Sequence, residues 1–242
     1  MSALAADAEL DFSHEAMHRP QLVAPPTDPW LARRMLGFGA SEIGALYLAL
    51  ELRTPSPDDP KYLLDAAARL FGVKAGRRKP AGGSRATEGG QRRERDVLRA
   101  WADAGCPGSI VEPWSVRHAD EIPREYLPLV DRHCPRLVCT PDGYARDDAG
   151  RLVHVEVKTT WGRRDERHTA PYLWWAYELQ VQAGIAATGA HSGVCVVGLG
   201  YASGDDGDLA VHAVERDESA IAQIRAACAE GWSRVERMKE GM

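Results

Sequence analysis

The sequence predicts a mixed α/β layered fold, and three observations predict it. Apolar residues recur at helical spacing through residues 29–105. Three β-branched, strand-like runs follow between 109 and 160. A long apolar helix, two more strands and a final helix complete the chain, an order unlike a regular βαβ series.

Taken in order, residues 1–28 read as an N-terminal arm, ending in "VAPPTDPW" with Asp28 as N-cap and Pro29 at the first helical position. The short helix that follows carries Arg33 and Arg34. "GFGAS" breaks it, and Ser41 can cap a second helix over 41–52. "RTPSPDDP" is a linker, and 61–72 a third helix. A Gly-rich basic loop spans 72–87, and a helix runs from about Gly90 to Gly105. Strands are expected at 109–119, 136–140 and 151–160 as a meander, with "ARDDAGR" as a hairpin turn. "WGRRDERHTAP" reads as a loop. A long helix then starts at Pro171 and ends at Gly189. Strands at 192–201 and 209–215 precede a C-terminal helix over about 217–239, and residues 29–242 read as a single domain.

The composition is that of an ordinary globular chain: 242 residues, 44% hydrophobic and 27% charged. No apolar run approaches membrane-spanning length and the N-terminus has no signal-peptide pattern, so the expected location is cytoplasmic. Five cysteines (Cys106, Cys134, Cys139, Cys195, Cys228) without a Cys-x-x-Cys spacing argue for reduced, buried thiols rather than disulfides or a zinc knuckle. Net charge is −5, yet nine Lys/Arg against three acids lie between Lys74 and Arg99. Arg163, Arg164 and Arg167 form a second basic group, and acids gather near Asp205–Glu218. This asymmetry is compatible with a polyanion along one face; on charge alone, a pair of solvated basic loops is the better reading.

The stretch "RLVHVEVK" poses the chemical question. Strand alternation points Val153, Val155 and Val157 one way and His154, Glu156 and Lys158 the other. In a chain with only five lysines, Lys158 is the sole one between residues 80 and 238, a compact titratable donor where arginine is otherwise preferred. One hairpin upstream, Asp142 in "TPDG" can sit beside Glu156, and paired carboxylates call for a cation that prefers oxygen ligands. Glu94 shares a helical stripe with Val97, Leu98 and Trp101, and Gln180 shares one with Tyr177, Val181 and Ile185. Each alone has an ordinary explanation: a Pro-Asp-Gly turn, a solvated Glu-x-Lys, a first-turn glutamate, a core amide.

Together, in order, these motifs resemble the PD-(D/E)XK nucleases, most closely the YqaJ-like viral recombinase and phage lambda exonuclease branch. "GASEIGAL", "EGGQRRERDVLRAW", "CTPDGYARDDAGRLVHVEVKTT" and "YELQVQAGIAATG" carry the resemblance across about residues 30–200. It implies an α/β fold with a central mixed β-sheet flanked by helices, a restriction-endonuclease-like core, and metal-dependent hydrolysis of DNA. The expected activity is a 5′→3′ exonuclease on duplex ends serving recombination; a RecB-like or endonucleolytic relative and a catalytically retired DNA-end-binding protein are the alternatives. By motif, Glu94, Asp142, Glu156, Lys158 and Gln180 are the implied catalytic set. Glu94, Asp142, Glu156 and the Val157 carbonyl would hold Mg²⁺, replaceable by Mn²⁺, as two ions. Lys158 would orient and help deprotonate the attacking water, and Gln180 would position Lys158 or that water. Arg34, Ser41 and Thr140 match the spacing of the branch's 5′-phosphate anchor, with Thr140 standing for the usual serine. Thr159-Thr160 departs from the family's Cys/Ser-Pro, and the basic loop 72–87 has no counterpart. The implied partners are DNA, a single-strand annealing protein and further copies of the chain, and no membrane.

Overall fold

β-branched residues at every second position make the segment Leu152–Thr159 a strand, and it is buried on both faces. In chain order the elements before it are α1 (Pro29–Arg34), β1 (Phe38–Gly39), α2 (Ile43–Ala49), α3 (Lys61–Lys74), α4 (Arg85–Asp103), β2 (Arg117–His118), β3 (Leu129–Asp131), β4 (Cys134–Cys139) and β5 (Gly143–Arg146). Leu152–Thr159 is β6, followed by α5 (Pro171–Thr188), β7 (Ser192–Leu199), β8 (Asp208–Glu215) and α6 (Glu218–Glu240). This computed structural model describes residues 29–57, 59, 61–78, 85–122, 127–160, 171–200 and 207–241. The expected arm 1–28, the arginine-bearing loop over 161–170 and the link at 201–206 lie outside the described residues.

The strands form two sheets. A five-stranded sheet has the order β2-β5-β6-β7-β8, and a three-stranded one the order β1-β4-β3. In the larger sheet β6 and β7 are parallel while the other neighbours are antiparallel, so the sheet is mixed. Helices cover both of its faces, which is the α/β layering expected. On one face Val153, Val155 and Val157 pack with Val97, Leu98 and Trp101 of α4. The other face meets α5, whose Val181 and Ile185 share a core with Phe38, Leu137, Ile221, Ile224 and Trp232. α5 touches both sheets as well as α2 and α6, and its nearly continuous apolar sequence is what burial on several sides requires. Among the described residues no helix is long and apolar enough to cross a membrane.

Polar groups lock the second layer. Asp131 Oδ1 accepts the His133 and Cys134 N–H groups at 2.6 and 3.0 Å, and Oδ2 receives a two-pronged Arg225 contact at 3.0 and 2.8 Å. The β3–β4 turn is thereby tied to α6 by charge-assisted bonds. Asp217 caps α6 by accepting from Ser219 and Ala220, worth about 1 kcal/mol. At its other end Gly241 takes the left-handed conformation, at φ 86°. All five cysteines are free and buried.

Several expectations are corrected. The strand expected over 109–119 shrinks to Arg117–His118, because Pro113 starts a 3₁₀ turn and only Val111 makes an isolated bridge. The 136–140 run joins β1 and β3 instead of the meander, which is built from β2, β5 and β6. The helix expected from Ser41 opens as a 3₁₀ turn over Ala40–Glu42 with Gly39 as its N-cap, and the Glu42 carboxylate, not Ser41, binds back to the Gly39 N–H at 2.6 Å. The loop 72–87 is shortened from both sides: α3 reaches Lys74 and α4 begins at Arg85, with 79–84 outside the described residues. Glu94 is therefore mid-helix, beyond the dipole field of the first turn.

Two glycines set close approaches. A Cβ on Gly143 would meet the Arg117 carbonyl oxygen at 2.7 Å and Leu98 at 3.0 Å, so "PDG" starts strand β5 rather than a turn. A Cβ on Gly184 of α5 would lie 2.1 Å from His154 Nε2, on a ring that is fully enclosed. Gly184→Ala is expected to lower folding stability by about 3 kcal/mol through overpacking, read as a shifted urea midpoint. An unchanged midpoint would show that α5 does not bear on β6 as described.

Candidate functional site

The β5–β6 register places Gly143 opposite Val155, which brings Asp142, the preceding residue, level with Glu156. Asp142 Oδ2 accepts the Val157 N–H at 2.8 Å. Strand alternation turns His154, Glu156 and Lys158 to the α5 side. Glu156, 3% exposed, accepts from Lys158 Nζ at 2.6 Å and from Gln180 Nε2, both at Oε1. Gln180 thus holds the carboxylate, not Lys158 itself. Lys158 Nζ also lies 5.5 Å from the centre of the Tyr177 ring, a cation–π distance. Glu94 approaches from α4, with Oε2 4.0 Å from His118 Nε2 of β2.

The electrostatics are lopsided: three carboxylates face one ammonium. Desolvation first, then the Glu156 charge, pushes the Glu94 carboxyl up to about 7. Asp142 is pushed well above the carboxylate range by desolvation, then by Glu156 and Glu94. Burial draws Lys158 down, but Glu156 and Asp142 outweigh it and raise its pKa above the ordinary lysine value. His154 lies under Glu156, Nε2 to Oε2 3.8 Å, and burial lowers its pKa to about 4, so it is neutral. Burial, then the Arg95 charge, also lowers His118.

Such a cluster fits a hard divalent cation by donor type and by charge. Among the described residues no three His, Cys, Asp or Glu side chains already close on one point as a metal cage. Mg²⁺ sites commonly use one or two carboxylates plus water and substrate phosphate, so a full protein cage is not required.

The second group of expected residues sits beside the first. Arg34 Nη2 donates to Ser41 Oγ at 2.9 Å. β1 runs parallel to β4 with Gly39 opposite Val138, so Ser41 and Thr140 emerge at the same end of that sheet, immediately before Pro141-Asp142. Cys139 links the two groups: desolvation and then Glu156 and Asp142 raise its thiol, while Arg34 and Lys158 oppose them. Glu42 and Lys74, not singled out in the sequence, build the support. Glu42 Oε2 meets Lys74 Nζ at 2.8 Å, and Lys74 also donates to the Arg34 carbonyl at 3.1 Å. Lys74 looked like part of a solvated basic loop but is 2% exposed. His118 had no signal either, because a two-residue strand shows no periodicity.

Searches of family models and of curated proteins find no match. Solved structures do match. An alkaline exonuclease from Laribacter hongkongensis superposes with a TM-score of 0.59 at 18% identity, covering 87% of this chain and 93% of that one. Its complex with dAMP gives 0.58 at 17% identity, over 87% and 93%. A phage-related exonuclease from Haemophilus somnus 129PT gives 0.58 at 10%, over 86% and 96%. The chain has the fold of these exonucleases. The α/β expectation is met by the mixed sheet and its flanking helices and by this likeness.

Glu94 generates a test. Its carboxyl rises from 4.5 to about 7 on folding, so between those values the folded chain binds its proton more tightly than the unfolded one. Its contribution to stability therefore falls as pH rises through that window. Glu94→Gln is expected to be stabilised relative to wild type at pH 8, by on the order of 2 kcal/mol, and not at pH 4.5, in denaturant titrations with chelator. A mutant offset independent of pH would contradict the charge clustering.

Proposed function

We propose that this chain is a metal-dependent deoxyribonuclease, a 5′→3′ exonuclease acting on duplex DNA ends in recombination, with residues 29–242 as its nuclease domain. The observation that carries the reading is the meeting of Glu94, Asp142 and Glu156 around Lys158, on a fold shared with the exonucleases. Asp142, Glu156, Glu94 and the Val157 carbonyl would hold Mg²⁺ or Mn²⁺, two ions in all. When bound, such ions neutralise the phosphodiester and lower the pKa of water.

The chain's own groups do the rest. A phosphodiester repels an anionic nucleophile, so a water must be held in line and the phosphate charge offset. Lys158, beside Glu156 at 2.6 Å, orients the attacking water, helps take its proton and faces the phosphate. Gln180 fixes the Glu156 carboxylate, leaving Oε2 without that bond. Arg34, Ser41 and Thr140 would receive the terminal 5′-phosphate, positioning the strand without reading its sequence.

Asp142→Ala is expected to abolish digestion of a linear duplex, and Lys158→Ala to slow it by about a hundredfold or more, with circular dichroism unchanged. Full activity in either folded variant removes this site from the reaction. Arg34→Ala is expected to erase the preference for a 5′-phosphorylated over a 5′-hydroxyl end while sparing the slower 5′-hydroxyl reaction. A retained preference would place the anchor elsewhere. A closed circular duplex should resist the wild-type enzyme; its cleavage would point to an endonuclease.

A further inference from the structure

An exposed aromatic ring beside the site is left unused by the proposed reaction. Tyr62, in the first turn of α3, is 59% exposed, while the next residue, Leu63, is buried. Leu63 fixes that turn: it clusters with Ala45 and Leu48 of α2, and Trp175 and Ala176 of α5 pack against them. Tyr62 is thereby carried beside α5, where its hydroxyl and that of Tyr177 hydrogen-bond one another. Tyr177 is buried, and its ring stands 5.5 Å from Lys158 Nζ. A chain of contacts therefore runs inward from solvent: the Tyr62 ring, the Tyr177 phenol, then Lys158.

An ordinary surface tyrosine does the opposite. It lays its ring on the protein and turns its hydroxyl to water. Here the polar tip is engaged inward, and what stays in solvent is chiefly the ring. Leaving a ring of this size in water forgoes the stabilisation that its burial would give, so folding alone does not account for the arrangement. The bond to a buried partner also restricts the ring, which lowers the entropy lost when a ligand stacks on it. A restrained, exposed ring close to a lysine that faces phosphate matches the way proteins hold nucleic-acid strands. Cations track the backbone, and aromatic faces take the bases.

We propose that Tyr62 is a stacking platform for a nucleobase of the cut strand, taking an end nucleotide whose phosphate lies at Lys158 or next to it. Every base has a π-face, so the contact fixes the strand without selecting its sequence. Tyr177 is the positioning residue behind the platform. The inference deepens the nuclease reading and rests on it, since Lys158 must face a phosphate.

Release of the terminal nucleotides from a 5′-phosphorylated linear duplex reads this contact when each of them in turn is made abasic. At one of these positions the abasic substrate should raise the wild-type KM about tenfold, with kcat little changed. Tyr62→Ala should raise KM for the intact duplex by a similar factor and lose the response to the abasic nucleotide. Tyr62→Phe, which keeps the ring, should retain most of that response. Should Tyr62→Ala fail to fold by circular dichroism, Tyr62→Leu, bulky but without a π-face, takes its place with the same expectation. An abasic penalty equal in wild type and in the folded ringless variant overturns the proposal and leaves the nuclease reading standing. So does a wild type indifferent to abasic nucleotides at every position, a result that needs no variant. A response lost as fully in Tyr62→Phe as in Tyr62→Ala assigns the effect to the hydroxyl and also overturns stacking. No digestion of any substrate by the wild type removes both readings.

Discussion

The structure turns on an imbalance of charge at one edge of a packed sheet. Glu94, Asp142 and Glu156 share a partly desolvated space with the single ammonium of Lys158. Carboxylates in such surroundings repel each other and gain protons, as the raised Glu94 and Asp142 show. A chain evolved for stability alone would place apolar groups here, since replacing buried charged groups by well-packed apolar ones is often neutral or stabilising. The scaffold instead invests in holding the carboxylates in place: Val157 N–H on Asp142, Lys158 and Gln180 on Glu156, and α4 carrying Glu94 on a face that packs through Val97, Leu98 and Trp101.

The rest of the fold serves that placement. β6 is clamped between α4 and α5, and the clamp tolerates no added bulk where Gly184 meets His154. The second sheet brings the Arg34–Ser41 segment to the same end as Asp142, through the parallel β1–β4 pairing. Beneath that segment the buried Lys74 binds both Glu42 and the Arg34 carbonyl. An ion pair so enclosed gives little net stability, and its value is in fixing geometry. The same logic extends to β2, whose two residues bring His118 against Glu94 with Asp120 and Arg95 behind it.

Much of this was legible in the sequence, for physical reasons. The valine alternation of β6 announces a strand with a core face and a charged face, and Pro171 and Gly189 bracket α5. Glu94, Asp142, Glu156, Lys158 and Gln180 could be read only as an ordered set that resembles a nuclease signature, since each alone has an ordinary explanation. What stayed hidden lacks such a pattern. β1 and β2 have two residues each and β3 three, too short for any period. Pro113 broke an apparent strand into a 3₁₀ turn. Lys74 read as part of a basic loop because its partner Glu42 is 32 positions away in sequence, and only tertiary packing buries it. His118 was silent for the same reason: its meaning lies in where β2 is sewn onto β5.

The central claim is that Asp142 and Glu156 together bind a divalent cation. Crystals soaked in Mn²⁺ and measured for anomalous scattering test it most directly. A manganese peak between the two carboxylates, with Glu156 drawn away from Lys158, is the predicted result. A difference map with no peak near either carboxylate, at Mn²⁺ concentrations that label other surface sites, would contradict it.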